Sequence, residues 1–343
     1  MKQLKMYTLL LMIFIYLSAG CSAVDPEAYK FDISVKVEDE NSDPVENAVV
    51  RIRFDHTYIQ QSITDKNFHR VSELSDTDGV ASISSKGNNR IYIHVERENY
   101  WDSFGKYDYW EVNKDAEVVG LDSSHIHKEF IIKLKNKKNP RPLYVNGSNL
   151  IPMPKSLSPI AYDLEECDWV SPYGKGKVPD VIFNFTKHKF DDRAYEAKLT
   201  LTFTNPEDGL IPVMKSDNEI FTSELLLGRN APITGYIKEY SLVKGLYKEN
   251  DRYIYRDDPK ASELNNIEGY WFRVRTKINP ETGEILEARY GKIYTEINFS
   301  ARSEEVNTKI GFMYYFSPDQ LNSLEFNGES LIPDADLQGM YRK

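Results

Sequence analysis

Cysteine is nearly absent, with Cys21 and Cys167 the two in 343 residues. A disulfide framework is therefore excluded as the basis of the fold, which must rest on a hydrophobic core. Cys167 reads as a small buried residue, because a thiol nucleophile needs a base and no histidine lies within twenty residues on either side. Histidine is scarce too, at six. Only His125 and His127 have a spacing, two apart, that places both rings on one face of a strand. Zinc in a reactive site needs a third ligand and an open position. His56, His69, His94 and His188 show no paired spacing, so a solvated pair is expected and neither metal nor cofactor is assigned. G-x-S-x-G, H-E-x-x-H and phosphate-loop patterns are missing. Adjacent acidic pairs such as Glu165 and Glu166 or Asp191 and Asp192 point in different directions on an extended chain, so adjacency does not make a hydrolytic pair.

Positive charge is also in deficit. Beyond residue 20 the chain holds 41 basic and 53 acidic residues, a net charge near −12. Such a surface repels nucleic acid and anionic headgroups, so nucleic acid is excluded as a partner. The sustained apolar stretch runs from Met6 to Leu17, after Lys2 and Lys5. Twelve residues reach roughly 18 Å as a helix, short of the ~30 Å hydrocarbon core, which predicts an export signal over residues 1–20 and not a stable span. Ser18, Ala19 and Gly20 before Cys21 resemble the lipobox of bacterial lipoproteins. That resemblance implies a lipid-modified Cys21, a tether over 21–29, and a location at the bacterial cell envelope with the membrane as partner through the anchor. Each buried CH₂ of such an anchor contributes about 0.8 kcal/mol.

Strand patterns dominate the remainder. In "FDISVKVE", Phe31, Ile33, Val35 and Val37 alternate with Asp32, Ser34, Lys36 and Glu38, the period of a half-buried strand. "VVRIRF", "RIYIHVE" and "KEFIIKLK" repeat it, joined by "EDENSDP", "SDTDG" and "SKGNN". "SDTDG" has the Asp and Gly of a hairpin turn and lacks the later ligands of a calcium loop. "VKVEDENSDPVENAVVRIRF", "SDTDGVASI" and "RIYIHVERENYW" are similar to the carboxypeptidase regulatory-like domain, a transthyretin-like β-sandwich. The resemblance covers about residues 30–135. It implies a seven-stranded class of sandwich that spaces or presents another domain, without peptidase chemistry of its own.

Residues 139–160, rich in proline, are expected to be a connector or a wrapping lead-in to a second unit. From 161 to 343, "EAKLTLTF", "GYWFRVRTKI", "GKIYTEINFSA" and "KIGFMYYF" predict a second, larger β-sandwich or jelly-roll-like domain. The alternation puts Tyr270, Phe272 and Val274 inside, with Trp271, Arg273 and Arg275 outside. Asp319 to Leu324 is the main helix candidate. The fold class is thus all-β, with two antiparallel sandwiches.

Aromatics are the most informative functional feature. "YWDSFGKYDYW" holds Tyr100, Trp101, Phe104, Tyr107, Tyr109 and Trp110, lacks regular alternation, and reads as a loop. "DWVSPYGKGKVPD" echoes it with Trp169 and Tyr173. Flat rings with polar tips stack on sugars or anchor protein contacts, or else pack one domain on another. The expected function is a non-catalytic binding or structural module with a protein or glycan partner at the envelope. A glycan-binding accessory protein is the first alternative, and a polysaccharide or peptide hydrolase with a scattered site the second.

Overall fold

A computed structural model describes residues 29–55, 68–87, 90–108, 125–147, 150–154, 158–215, 221–257, 267–301 and 308–333, with 335 and 337. No helix occurs among them, and none is long and apolar enough to cross a membrane. The chain is all-β and divides into two units. Unit 1 comprises Met1–Asn136 and Ile220–Glu224, and unit 2 comprises Lys137–Glu219 and Leu225–Lys343.

Unit 1 begins with β1 (Tyr29–Glu38), β2 (Val49–Asp55), β3 (Phe68–Leu74), β4 (Val80–Gly87) and β5 (Arg90–Glu96). Then come β6 (Tyr100–Trp101), β7 (Ser103–Asp108), β8 (His125–Lys133) and β9 (Lys135–Asn136). One sheet has the order β4-β1-β8, with β1 and β8 parallel. In the facing sheet β7, β5, β2 and β3 lie side by side. The expected alternation holds: Phe31, Ile33 and Val35 of β1 meet Ile52 and Phe54 of β2 and Ile91 and Ile93 of β5 in one core. The Phe31 and Phe54 rings lie 5.6 Å apart across it. Each such side chain contributes about 1.5–3 kcal/mol when fully buried. Turns are fixed by their own polar groups. The Asp76 carboxylate accepts from the amides of Asp78 and Val80, which leaves it committed to the turn and not to a cation. Gly79 has φ +77°, and a Cβ there would meet the Val37 carbonyl at 2.5 Å.

Unit 2 holds β10 (Arg141–Asn146), β11 (Ile151–Pro152), β12 (Ile160–Asp163), β13 (Asp168–Trp169), β14 (Val181–Lys189), β15 (Tyr195–Thr202) and β16 (Gly209–Met214). The short β17 (Phe221–Ser223) leaves it and adds to unit 1, antiparallel to β7. Unit 2 resumes with β18 (Glu239–Glu249), β19 (Arg252–Asp257), β20 (Ile267–Ile278), β21 (Ile285–Phe299), β22 (Lys309–Phe316) and β23 (Phe326–Ser330). Its sheets have the orders β13-β12-β14-β15-β18-β19 and β16-β20-β21-β22-β10-β23, with β11 also on β22. Phe183, Phe185, Leu199 and Leu201 of the first face Phe272, Val274, Phe312 and Phe316 of the second.

Three expectations change. Residues 139–160 are no free connector, since β10 lies between β22 and β23 inside a sheet. Proline is compatible because Pro140 precedes the strand, Pro142 falls at the register shift between Arg141 and Leu143 and outside the β22 ladder, and Pro152 lies in a two-residue strand, β11, where few ladder donors are lost. Residues 319–324 form turns: Ser317 and Asp319 fold back on Leu321, and Arg141 binds Asp319 at 2.7 Å. Finally, the outer face of β20 is covered. Trp271, Tyr290, Met313 and Tyr315 form a second apolar cluster packed with Leu226, Leu227 and Tyr236, so the longer sheet is buried on both faces.

Candidate functional site

The aromatic run at 100–110 is strand where it is described, and not loop. Tyr100 and Trp101 pair as β6 with β9, and β7 pairs with β5 on one side and β17 on the other. Trp101 and Tyr107 are buried, Tyr100 packs against the unit 1 core, and Phe104 stacks on His94 with centroids 4.6 Å apart. The irregular pattern that suggested a loop arises because β7 buries neighbours of both parities, Tyr107 and Asp108, while Phe104 is half-buried. Tyr109, Trp110 and Cys21 lie outside the described residues.

Trp169 is also buried, edge-on to Tyr162 at 5.3 Å, with its indole N–H donating to the Pro152 carbonyl at 2.9 Å. Its surroundings are unit 2's own core. Tyr173, at 41% exposure, is the one ring among the described candidates that faces solvent strongly. Around them loop amides are held by carboxylates and carbonyls of the same chain, Gly176 N by the Trp169 carbonyl at 2.9 Å among the latter. Asp168 accepts from Lys175 N at 2.9 Å, and Asp163 accepts from Lys177 N at 2.8 Å and Val178 N at 2.9 Å. An anion would find the Lys175 and Lys177 amides of "GKGK" occupied by the protein's own carboxylates. Gly174 and Gly176 sit so close to the chain that a Cβ would meet the Trp169 carbonyl at 2.5 and 2.8 Å.

Behind the loop lies a charge network that sequence reading missed. Arg275, on a bulge in β20 with φ +58°, donates Nε to Asp180 at 2.8 Å and a terminal nitrogen to Asp163 at 3.1 Å. It also binds Glu165, which Arg289 contacts at 2.9 Å and the Tyr144 hydroxyl at 2.8 Å. Burial opposes ionisation of Asp163 and Glu165. Backbone amides hold the Asp163 carboxyl below its usual value, and Tyr144 with Arg275 does the same for Glu165. Burial raises Asp180 even though Arg275 holds both its oxygens. Three carboxylates thus converge in unit 2, but a guanidinium fills the space between them, which leaves no facing pair with room for a sugar or water. The adjacent Glu165 and Glu166 and the expected outward Arg275 were the visible halves of this cluster; that β20 would turn Arg275 into it by a bulge was not readable.

Two exposed features remain. At the end of unit 2's six-stranded sheet, β19 pairs with β18 alone among the described residues and exposes Tyr253 at 37%, Ile254 at 39% and Tyr255 at 40%. In unit 1, the parallel register sets Asp32 opposite His127 and Lys30 opposite His125. His125 Nε2 lies 2.5 Å and His127 Nδ1 3.7 Å from Asp32 Oδ2. The sequence supplied the histidine pair, and the missing third group was 93 residues upstream.

No family model and no curated protein matches the chain. Among solved structures it is similar to 3-chlorocatechol 1,2-dioxygenase from Rhodococcus opacus, at 10% identity over 33% of this chain and TM-score 0.25. The match spans 62% of that chain, less than two thirds of its length. BcpA, the major pilin subunit of Bacillus cereus, matches at 12% identity over 82% of this chain and 95% of that one, TM-score 0.22. The shaft pilin SpaA of Lactobacillus rhamnosus matches at 8% over 88% and 96%, TM-score 0.21. At these TM-scores no activity or partner is carried over.

Proposed function

We propose that this chain is a lipid-anchored bacterial envelope protein whose two β-units act as a non-catalytic binding or structural module. The observation that carries the proposal is the opening segment, Lys2 and Lys5, the apolar Met6–Leu17, then Ser18-Ala19-Gly20-Cys21. The Arg275 cluster supports the non-catalytic part, since the convergent carboxylates of unit 2 are neutralised where a hydrolase would need them free. Mass spectrometry of the protein made in a bacterial host should find the mature chain starting at a diacylglyceryl-modified Cys21. Cys21→Ser should release the protein from the membrane fraction. A mature chain that starts elsewhere, or an unmodified thiol, sinks the anchor.

A glycan-binding reading is favoured by one observation, the β19 edge. Tyr253 and Tyr255 are two apart on a strand, so both rings project from the same face, roughly 7 Å apart along the chain. Arg193 lies 5.7 Å from the Tyr253 ring, and the Tyr253 hydroxyl donates to Asp191 at 3.4 Å. In this reading the contact rings are these and not the buried Trp101 and Trp169. On a glycan array, a ligand bound by the wild type and lost with Tyr253→Ala and Tyr255→Ala supports it. Binding that persists in that double variant removes it.

A further inference from the structure

We propose that Asp32, His125 and His127 form a site for a divalent transition cation, zinc above all, on the outer face of unit 1's three-stranded sheet.

The face is a lattice of side chains set by strand register. Ser84, Asp32 and His127 make one row across β4, β1 and β8, with Lys86, Lys30 and His125 in the row on one side and Ser82, Ser34 and Glu129 in the row on the other. Within it two imidazoles and a carboxylate each bring a donor atom within 4.8 Å of the others. Zinc bonds of about 2.1 Å in a tetrahedron place donors roughly 3.4 Å apart, so modest χ rotations of exposed side chains close the set. Two nitrogens and one oxygen suit zinc and its neighbours in the transition series and not calcium or magnesium, which take oxygen. Asp32 Oδ1 accepts from Ser84 Oγ at 2.5 Å, and this leaves Oδ2 aimed at both rings, the support that metal-binding carboxylates have.

Asp32 and His127 line a groove of about 560 Å³ together with Ser34, Ser82, Ser84 and Glu129. Lys30 Nζ, 3.4 Å from Asp32 Oδ2, is a half-exposed flexible competitor that can swing away. A second group, His94, Glu96 and Asp102, meets the same distance limit but lacks this character. There Arg51 already binds Glu96 at 2.5 Å and the His94 ring is stacked on Phe104, so the cation's place is taken by a guanidinium.

The test is calorimetric titration of the untagged full chain with zinc chloride, then with cobalt(II), whose visible absorption reports tetrahedral coordination. One equivalent of zinc should bind at about pH 7.5. His127→Ala should weaken binding roughly tenfold or more, as should Asp32→Asn, while His94→Ala leaves it unchanged. His127 is 68% exposed, so its variant keeps the fold. No saturable zinc binding, binding untouched by His127→Ala, or binding lost with His94→Ala would each overturn the proposal.

Discussion

Arg275 shows how one residue decides what a cluster can do. Its guanidinium is largely buried against Asp163, Glu165 and Asp180, the first and last of these almost wholly buried. Removing one partner of a buried ion group leaves uncompensated charge, at a cost of about 3–5 kcal/mol. Arg275→Met should therefore lower the stability of unit 2 by about that amount at pH 7, read as the urea midpoint followed by tryptophan fluorescence. The pH sign follows from the shifts. In the wild type Asp163 and Glu165 lie below their unfolded values, so their contribution is present above about pH 4.3 and is lost as pH falls through the folded values. In the variant Asp180 loses the guanidinium that opposes its burial, which raises its carboxyl further, so the deficit should shrink between pH 7 and pH 4 as it takes up a proton. A deficit constant with pH would show that packing, and not charge, is what Arg275 supplies.

Among elements, β17 is the least legible and the most telling. Three residues from far along the chain complete the β7 edge of unit 1, with Phe221 paired to Gly105. A Cβ on Gly105 would stand 2.2 Å from the Phe221 ring, and that ring meets Phe130 edge-on at 5.6 Å. Gly105 looked like a loop glycine; its role is to let a ring lie flat on a strand. Phe221→Ala should cost unit 1 about 2 kcal/mol, the value of a partly buried aromatic, and should open the β7 amides to hydrogen exchange. Unchanged exchange at Phe104 and Lys106 would argue that β17 is ornamental. The strands of β1, β2, β5, β14 and β15 were readable because each buries one face, and the period of two survives in the residues. β20 and β22 were only half readable: a sheet covered on both faces buries residues of both parities, so alternation no longer says which side is out.

For the whole molecule, composition and order bounded the answer early. Few cysteines and strand periods nearly throughout point to an all-β protein in two parts, and the all-β fold with two units is what the chain forms. The membrane release expected of Cys21→Ser belongs to this scale, because an acidic surface offers anionic lipid no attraction of its own. Local pattern determined these things because hydrophobic burial leaves its period in neighbouring residues. Tertiary structure alone decided that Trp101 and Trp169 are core, that Arg275 closes a carboxylate cluster, that β17 returns to unit 1 and that Asp32 joins His125 and His127. Each of these depends on residues tens to more than a hundred positions apart, set side by side by strand order and register, which no short stretch of sequence encodes.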